Sequence, residues 1–298
     1  MSPPAISVVI PFYNRRDEVC RCVESVLAQT LPNGQTFEVI AVDNGSTDNS
    51  AAALSKYGIR VEPCSRRGPA AARNAGVARA GASIVAMIDS DCVADPGWLA
   101  ALIAPFSHPD VLCTGGHIEG FDHTRGVAFF AHVAGILDQE KLFNGVFCFP
   151  PFFATANAAF RREAFLRAGG FDEELLVGED ADLIWRVLDL GGRMALCKTA
   201  SVRHKFRNTF DGFWRQALEY GEGAATIFAR HHHRMGRRVC IEWGNLLMLA
   251  ILPAIIVAKL FATGHPFHRK SRIYDLIWRT GFTFGRLKGS LRHRVLFF

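Results

Sequence analysis

Short apolar runs at 6–10, 37–42, 59–64, 83–88 and 111–114 recur through the first 115 residues, each rich in β-branched side chains and too short for an ordinary helix. They predict strands. Between the first two, Val19, Cys22, Val23, Val26 and Leu27 fall at helical spacing and form one apolar stripe that must lie on a sheet. The alternation is a βαβ pattern, so the expected class is α/β, with a mostly parallel central sheet flanked by helices. Further on the pattern loosens. A strand is expected at 153–160, a helix at 179–190 and a last strand at 194–202, followed by a long helical stretch to about His233. No internal repeat or low-complexity linker interrupts the chain. Three regions are therefore expected, 1–115, 116–205 and 206–298, the last helical, apolar and basic.

In parallel sheets ligands bind beyond the carboxyl ends of the strands, so the residues that follow each run carry the candidate chemistry. Pro11-Phe12-Tyr13-Asn14 follows the first run, Asp43-Asn44-Gly45-Ser46-Thr47-Asp48 the second, and Asp89-Ser90-Asp91 the fourth. The Asp43 loop is also what a turn and a helix cap require. Asp89 and Asp91 sit directly behind an apolar strand and repel one another unless a cation lies between them. Hard oxygen ligands suit Mg²⁺ or Mn²⁺ completed by substrate phosphates, although two solvated loop acids would show the same spacing. Gly68-Pro69 opens a helix whose amino end, with Arg66, Arg67 and Arg73, suits an anion; an Ala-rich core helix with exposed arginines is the alternative. In Gly178-Glu179-Asp180-Ala181-Asp182, acids favour the helix dipole and Asp182 pairs with Arg186 at i,i+4. Asp180 is not accounted for in that way. It shares a stripe with Leu183, Ile184 and Val187, faces inward or into a cleft, and is a candidate general base.

Taken in order, Val8-Val9-Ile10-Pro11-Phe12-Tyr13-Asn14, Val42 to Asp48, Ala72-Arg73-Asn74-Ala75-Gly76, Asp89-Ser90-Asp91 and Gly178 to Leu183 resemble the family 2 glycosyltransferases over about 200 residues. The resemblance implies a GT-A type fold and an inverting transferase that moves one sugar from a nucleotide-diphosphate sugar to a hydroxyl acceptor, a glycan or lipid-linked saccharide. It implies Pro11, Tyr13, Asn14, Asp43, Arg73, Asp89 and Ser90 at the nucleotide-sugar, and Asp91, Asp89 and His204 at a Mg²⁺ or Mn²⁺ ion. Asp180 would be the catalytic base, with Glu179 and Trp185 at the acceptor. Asn44 departs from the pattern, because many members carry a second Asp there. The Gln-x-x-Arg-Trp motif of processive synthases is also missing, which favours single-sugar transfer.

Other classes fit less well. A nicotinamide dehydrogenase needs G-x-G-x-x-G after the first strand, and Gly221-x-Gly223 lacks the third glycine. A sugar nucleotidyltransferase wants a glycine-rich basic loop near the start. It stays an alternative, as does a non-catalytic nucleotide-sugar-binding scaffold. The net charge of +6 is concentrated in 265–298, where eight Lys and Arg face a lone Asp275. Aromatic residues interleave there as readily for a membrane face as for base stacking, and no nucleic-acid partner is expected. The uncharged run 246–258 is short of the roughly 20 residues that span a bilayer and is broken by Pro253. An in-plane or re-entrant segment on an anionic membrane surface is expected ahead of a buried core helix or a span. His231-His232-His233, beside arginines, is expected as a solvated basic face. Eight cysteines without CxxC pairing fit buried thiols in a reducing compartment, and the start of the chain shows no signal-peptide pattern. The expected location is therefore cytoplasmic, at the cytoplasmic face of a membrane.

Overall fold

The computed structural model describes residues 4–121, 126–260 and 266–298, with side chains described outside 258–270. The chain divides into two compact units. The first takes in Met1–Phe121, Leu137–Asn144 and Pro151–Lys205, and the second Asp122–Ile136, Gly145–Pro150 and Phe206–Phe298.

The first half of unit 1 runs β1 (Ile6–Phe12), α1 (Arg16–Leu27), β2 (Phe37–Asp43), α2 (Ser50–Leu54), β3 (Arg60–Pro63), α3 (Pro69–Arg79), β4 (Ile84–Ile88), β5 (Cys92–Ala94), α4 (Trp98–Ile103) and β6 (Val111–Gly120). In chain order, α5 (Gly126–Ala134) of unit 2 intervenes before α6 (Gln139–Phe143), β7 (Asn157–Arg161), α7 (Arg162–Arg167), α8 (Glu179–Leu188) and β8 (Arg193–His204) complete unit 1. Unit 2 continues with α9 (Phe210–His231), β9 (Val239–Cys240), α10 (Trp243–Leu260), α11 (Pro266–His293) and β10 (Leu296–Phe297).

The eight-stranded sheet of unit 1 has the order β3-β2-β1-β4-β7-β6-β8-β5, with β3 to β4 parallel, β6 parallel to β8, and β7 and β5 antiparallel to their neighbours. This is the mostly parallel α/β sheet that the βαβ alternation predicts. Apolar side chains pack against both faces. Val8, Ile10, Val19, Val23 and Val26 lie in one cluster, and Val9, Ile40, Val42, Val77 and Leu183 in the other. Gly76 lets α3 approach that sheet, since a Cβ there would stand 2.4 Å from Val9 Cγ1.

Two strands differ from expectation for identifiable reasons. β6 continues to Gly120 rather than ending at 114, because Gly115 and Gly116 hide its strand character. A Cβ on either would collide, at 2.3 Å with the Phe153 ring or at 2.2 Å with the Ala200 carbonyl. β7 begins only at Asn157, because the preceding loop is held by Gln139. Its amide accepts from Ala154 N at 2.8 Å and donates to the Ala154 and Asn157 carbonyls.

In unit 2, α9 and α11 pack at backbone distance. A Cβ on Gly221 would lie 2.1 Å from Phe282 O, and one on Gly285 2.1 Å from Leu218 O. All eight cysteines of the chain are unpaired thiols. The part of the apolar segment beyond 257, and Arg269 and Lys270 of the basic tail, lie outside the residues whose side chains are described. No helix among the described residues is long and apolar enough to cross a membrane.

Candidate functional site

The parallel register sets Phe12 beside Asp43 and Val9 beside Met87, so the loops after β1, β2 and β4 emerge along one edge of the sheet. They are bonded together there. Asn14 and Arg15 both adopt left-handed backbone, with φ of 56° and 64°, a conformation that non-glycine residues hold only under local constraint. Asn14 supplies the constraint through its backbone N–H, which donates to Ser46 Oγ (2.8 Å), and its Oδ1, which accepts from Thr47 N (2.8 Å). Asp43 closes the turn by accepting from Ser46 N at 2.8 Å. Pro11 is buried beneath, whereas Tyr13 is exposed under the Arg67 guanidinium, 4.6 Å from its ring.

The departure at Asn44 has a structural reason. Its amide donates to Arg66 O (2.6 Å) and accepts from Gly68 N (2.8 Å), tying the Asp43 loop to the start of α3. A carboxylate could accept but not donate. Asn74 does the same between α3 and the loop before α8, accepting from Phe171 N and donating to Phe171 O, both at 2.9 Å.

Arg73, buried on α3, is the centre of the charged cluster. It donates to Asp89 Oδ1 at 2.7 Å and to Glu179 Oε1 at 3.1 Å, lies against the Phe171 ring, and its Nε finds no partner among the described residues. Burial alone would lower its pKa. The carboxylates of Asp89, Asp180 and Glu179 outweigh that effect and raise it. The first turn of α8 brings in the acids. Glu179 is buried, and burial reinforced by Asp180 pushes its carboxyl up to about 8. Asp180 is partly buried and accepts the Thr155 hydroxyl at 2.5 Å. Its carboxyl is also raised by burial, against the lowering pull of Arg73 and of Thr155. Two carboxyl groups thus share one guanidinium, and the charge of a third, Asp180, acts on it as well.

Glu179 and Trp185, both expected at the acceptor, turn inward. Glu179 is taken up by Arg73, and the buried Trp185 indole donates to Pro151 O at 3.0 Å. Asp182 forms the expected pair with Arg186, which also donates to Gly170 O, so this acid holds structure.

Asp91 looks the other way, toward His204, whose Nε2 lies 3.5 Å from Asp91 Oδ1, and toward Arg15, which pairs with Oδ2. β5 brings this about, because pairing with β8 sets Cys92 beside His204. Ser90 is buried between the two acids. Asp91, Cys92 and His204 form a group whose donor atoms lie within 4.8 Å of one another, close enough for one ion to reach all three. Burial, then the charges of Asp91 and Asp89, pushes the Cys92 thiol far above its usual range. A thiol is in any case a soft donor, poorly matched to a hard cation. The carboxylate and imidazole are the donors that fit; Asp89 is engaged by Arg73.

Thr155, Arg15 and Cys92 were not among the residues singled out from the sequence. Thr155 lies in an irregular stretch with no periodic signal, and Cys92 looked like one more core thiol.

A family model described as glycosyl transferase family 2 matches residues 7–168, more than half of the chain. The chain belongs to this family. Among relatives of the family 2 chain, a pre-mycofactocin glycosyltransferase of Mycobacterium tuberculosis is 31% identical over 258 residues, which take in 84% of this chain and 53% of that protein. The chain therefore spans about half the length of that relative. The mannosyltransferase PcManGT of Pyrobaculum calidifontis, solved with GDP-Man and Mn²⁺, matches with a TM-score of 0.65 at 18% identity, covering 97% of this chain and 87% of its own. GalNAc-T7, solved with UDP, GalNAc and Mn²⁺, matches with a TM-score of 0.54 at 21% identity, covering 69% and 44%. These structures share the fold with the family 2 chain, a GT-A-like sheet flanked by helices.

Proposed function

We propose that this chain is an inverting glycosyltransferase that moves one sugar from a nucleotide-diphosphate sugar to a hydroxyl acceptor. The observation that carries the reading is the gathering of Asp89, Glu179 and Asp180 around buried Arg73, beside the Asp91–His204 pair, in a chain of this family. Three acids around one buried cation cost stability that packing alone would not demand, and such arrangements concentrate at functional sites.

In this reading the Asn14 and Asp43 loops receive the nucleotide. Tyr13 offers its exposed ring to the base, with Pro11 beneath, while Arg73 fixes the Asp89 carboxylate, with Ser90 next in the chain, on the side of the sugar-diphosphate. Asp91 and His204 hold the divalent ion, and an imidazole in the set favours Mn²⁺ over the oxygen-seeking Mg²⁺. The ion supplies charge neutralisation for a leaving diphosphate. Asp180 takes the proton of the acceptor hydroxyl as that oxygen attacks the anomeric carbon from the face opposite the leaving group, and one displacement inverts the carbon. Glu179 acts through Arg73, and Trp185 shapes the acceptor side from beneath.

The test uses GDP-mannose and UDP-glucose as probes. A Mn²⁺-dependent rise in melting temperature with a sugar nucleotide supports the donor site, because a ligand of the folded state stabilises it by mass action. Asp180→Asn should keep that rise while turnover falls about 10²- to 10⁴-fold, about 3 to 5 kcal/mol of barrier. Full turnover in that variant would remove Asp180 from the mechanism.

A saccharide or lipid-linked acceptor at the cytoplasmic face of a membrane is the finer part of the proposal. It is supported by α10, where Trp243, Leu247, Ala250, Ile251, Ala254 and Val257 expose one uncharged face. Residues 206–298 carry fifteen Lys and Arg against five Asp and Glu, whereas residues 1–205 carry nineteen against twenty-three. An apolar helix face beside a strong positive excess suits the interface of an anionic bilayer. The double variant Trp243→Ser, Leu247→Ser should lose most co-sedimentation with phosphatidylserine vesicles. Undiminished binding would exclude this face.

A further inference from the structure

The base of the proposed reaction sits on a partner that no motif predicts. Thr155 is fully buried, in the loop ahead of β7, and its hydroxyl donates to Asp180 Oδ1 at 2.5 Å, the length of a charge-assisted O–H···O⁻ bond. The loop is pinned where the bond needs it. Its backbone is held on one side by the buried Gln139 amide, through Ala154 N and O, and on the other by Asn157 N donating to Ala154 O at 3.3 Å. One residue thus holds one side of the carboxylate, and it does so from the loop that leads into the strand beside β4, whose end carries Asp89.

We propose that Thr155 is a positioning residue for Asp180, its hydroxyl bond to Oδ1 orienting the carboxylate so that the second oxygen can accept the acceptor's proton. The need for such a device follows from the surroundings. Asp180 is faced by Glu179 on its own helix, by Asp89 from the end of β4 and by Arg73 from α3. Two of these three are acids, and together with burial they favour a neutral Asp180, which cannot act as a base. Arg73 opposes them, but it is shared with Asp89 and Glu179 through hydrogen bonds. The Thr155 hydroxyl is uncharged, so it stabilises the carboxylate without adding to the charge the rest of the cluster must balance.

This inference rests on the assignment of Asp180 as base, and its test reads the hydrogen bond independently of turnover. Metal-free full-length protein labelled at the aspartate carboxyl carbon is titrated by NMR, with the Asp180 signal identified by its loss in Asp180→Asn. Thr155→Val keeps the side chain's shape and should move the Asp180 midpoint up by about 1 to 2 pH units, the scale of a hydrogen bond to a charged group. Thr155→Ser restores the hydroxyl and should return the midpoint to within a few tenths of a unit of wild type. An unmoved midpoint in Thr155→Val, or a rise that Thr155→Ser fails to reverse, overturns the proposal. Full turnover in Asp180→Asn would instead overturn the assignment of the base and leave the hydrogen bond standing.

Discussion

Arg73 in unit 1 and Arg286 in unit 2 are both buried, at 5% and 3% exposure, and their surroundings are opposite in kind. Arg73 is ringed by the carboxyl groups of Asp89, Glu179 and Asp180, which raise its pKa despite burial. Arg286 is boxed by the rings of Phe147, Phe282 and Phe297, with Glu242 as its ion-pair partner at 2.7 Å. There burial prevails and the pKa is lowered. Cation–π contacts and one ion pair hold the second arginine, whose buried Nε has no hydrogen-bond partner among the described residues. The first gathers more negative charge than it can neutralise, and that excess is what a cation and a transferring group would exploit.

Removing the two cations should sharpen the contrast most. Arg73→Met leaves three acids without their counter-charge and should cost about 3 to 5 kcal/mol in denaturant unfolding at pH 8. The loss should shrink as pH falls from 8 toward 5, because Glu179, whose carboxyl is raised to about 8, is protonated over most of that range. Gly285→Ala tests unit 2 at its own critical point, the helix contact, where the added methyl meets the Leu218 carbonyl. A loss of about 2 to 3 kcal/mol is expected, and a neutral result would mean that α9 and α11 can separate at little cost.

Glu179 provides a pH signature of intermediate size. Its carboxyl is raised in the folded chain, so its contribution to stability is full below pH 4.5 and is lost as pH climbs toward 8. Glu179→Gln cannot ionise, and between those values its stability should gain on wild type by on the order of 1 to 2 kcal/mol. Parallel curves of stability against pH would show that Glu179 titrates normally. The smallest effect is expected from Arg286→Met, about 1 kcal/mol, since methionine fills the aromatic box and the half-exposed Glu242 regains water. Equal losses for Arg286→Met and Arg73→Met would erase the distinction between the two centres.

The legible parts of the sequence were those where chemistry follows a strand. Asp43 and Asp89 end or follow buried apolar runs, and Asp180 breaks the apolar stripe of α8, so position along the chain already marked them. The Asp182–Arg186 pair was visible for the same local reason, one helical turn apart. Thr155 was not visible, since its meaning depends on a carboxylate 25 positions away, and Arg15 meets Asp91 across 76 positions. β5 was hidden by its brevity, three residues whose strand character comes entirely from pairing with β8.

By itself the sequence determined the α/β layering, the edge of the sheet that bears the loops, and the acids along it, because strand and helix periodicities are properties of neighbours. Only the tertiary structure decided which acids share Arg73, that Asp91 faces His204 rather than Asp89, and that Glu179 and Trp185 point inward. Those outcomes depend on burial and on charges brought together from distant segments. Desolvation and pairing energies exist only once the chain has closed around them.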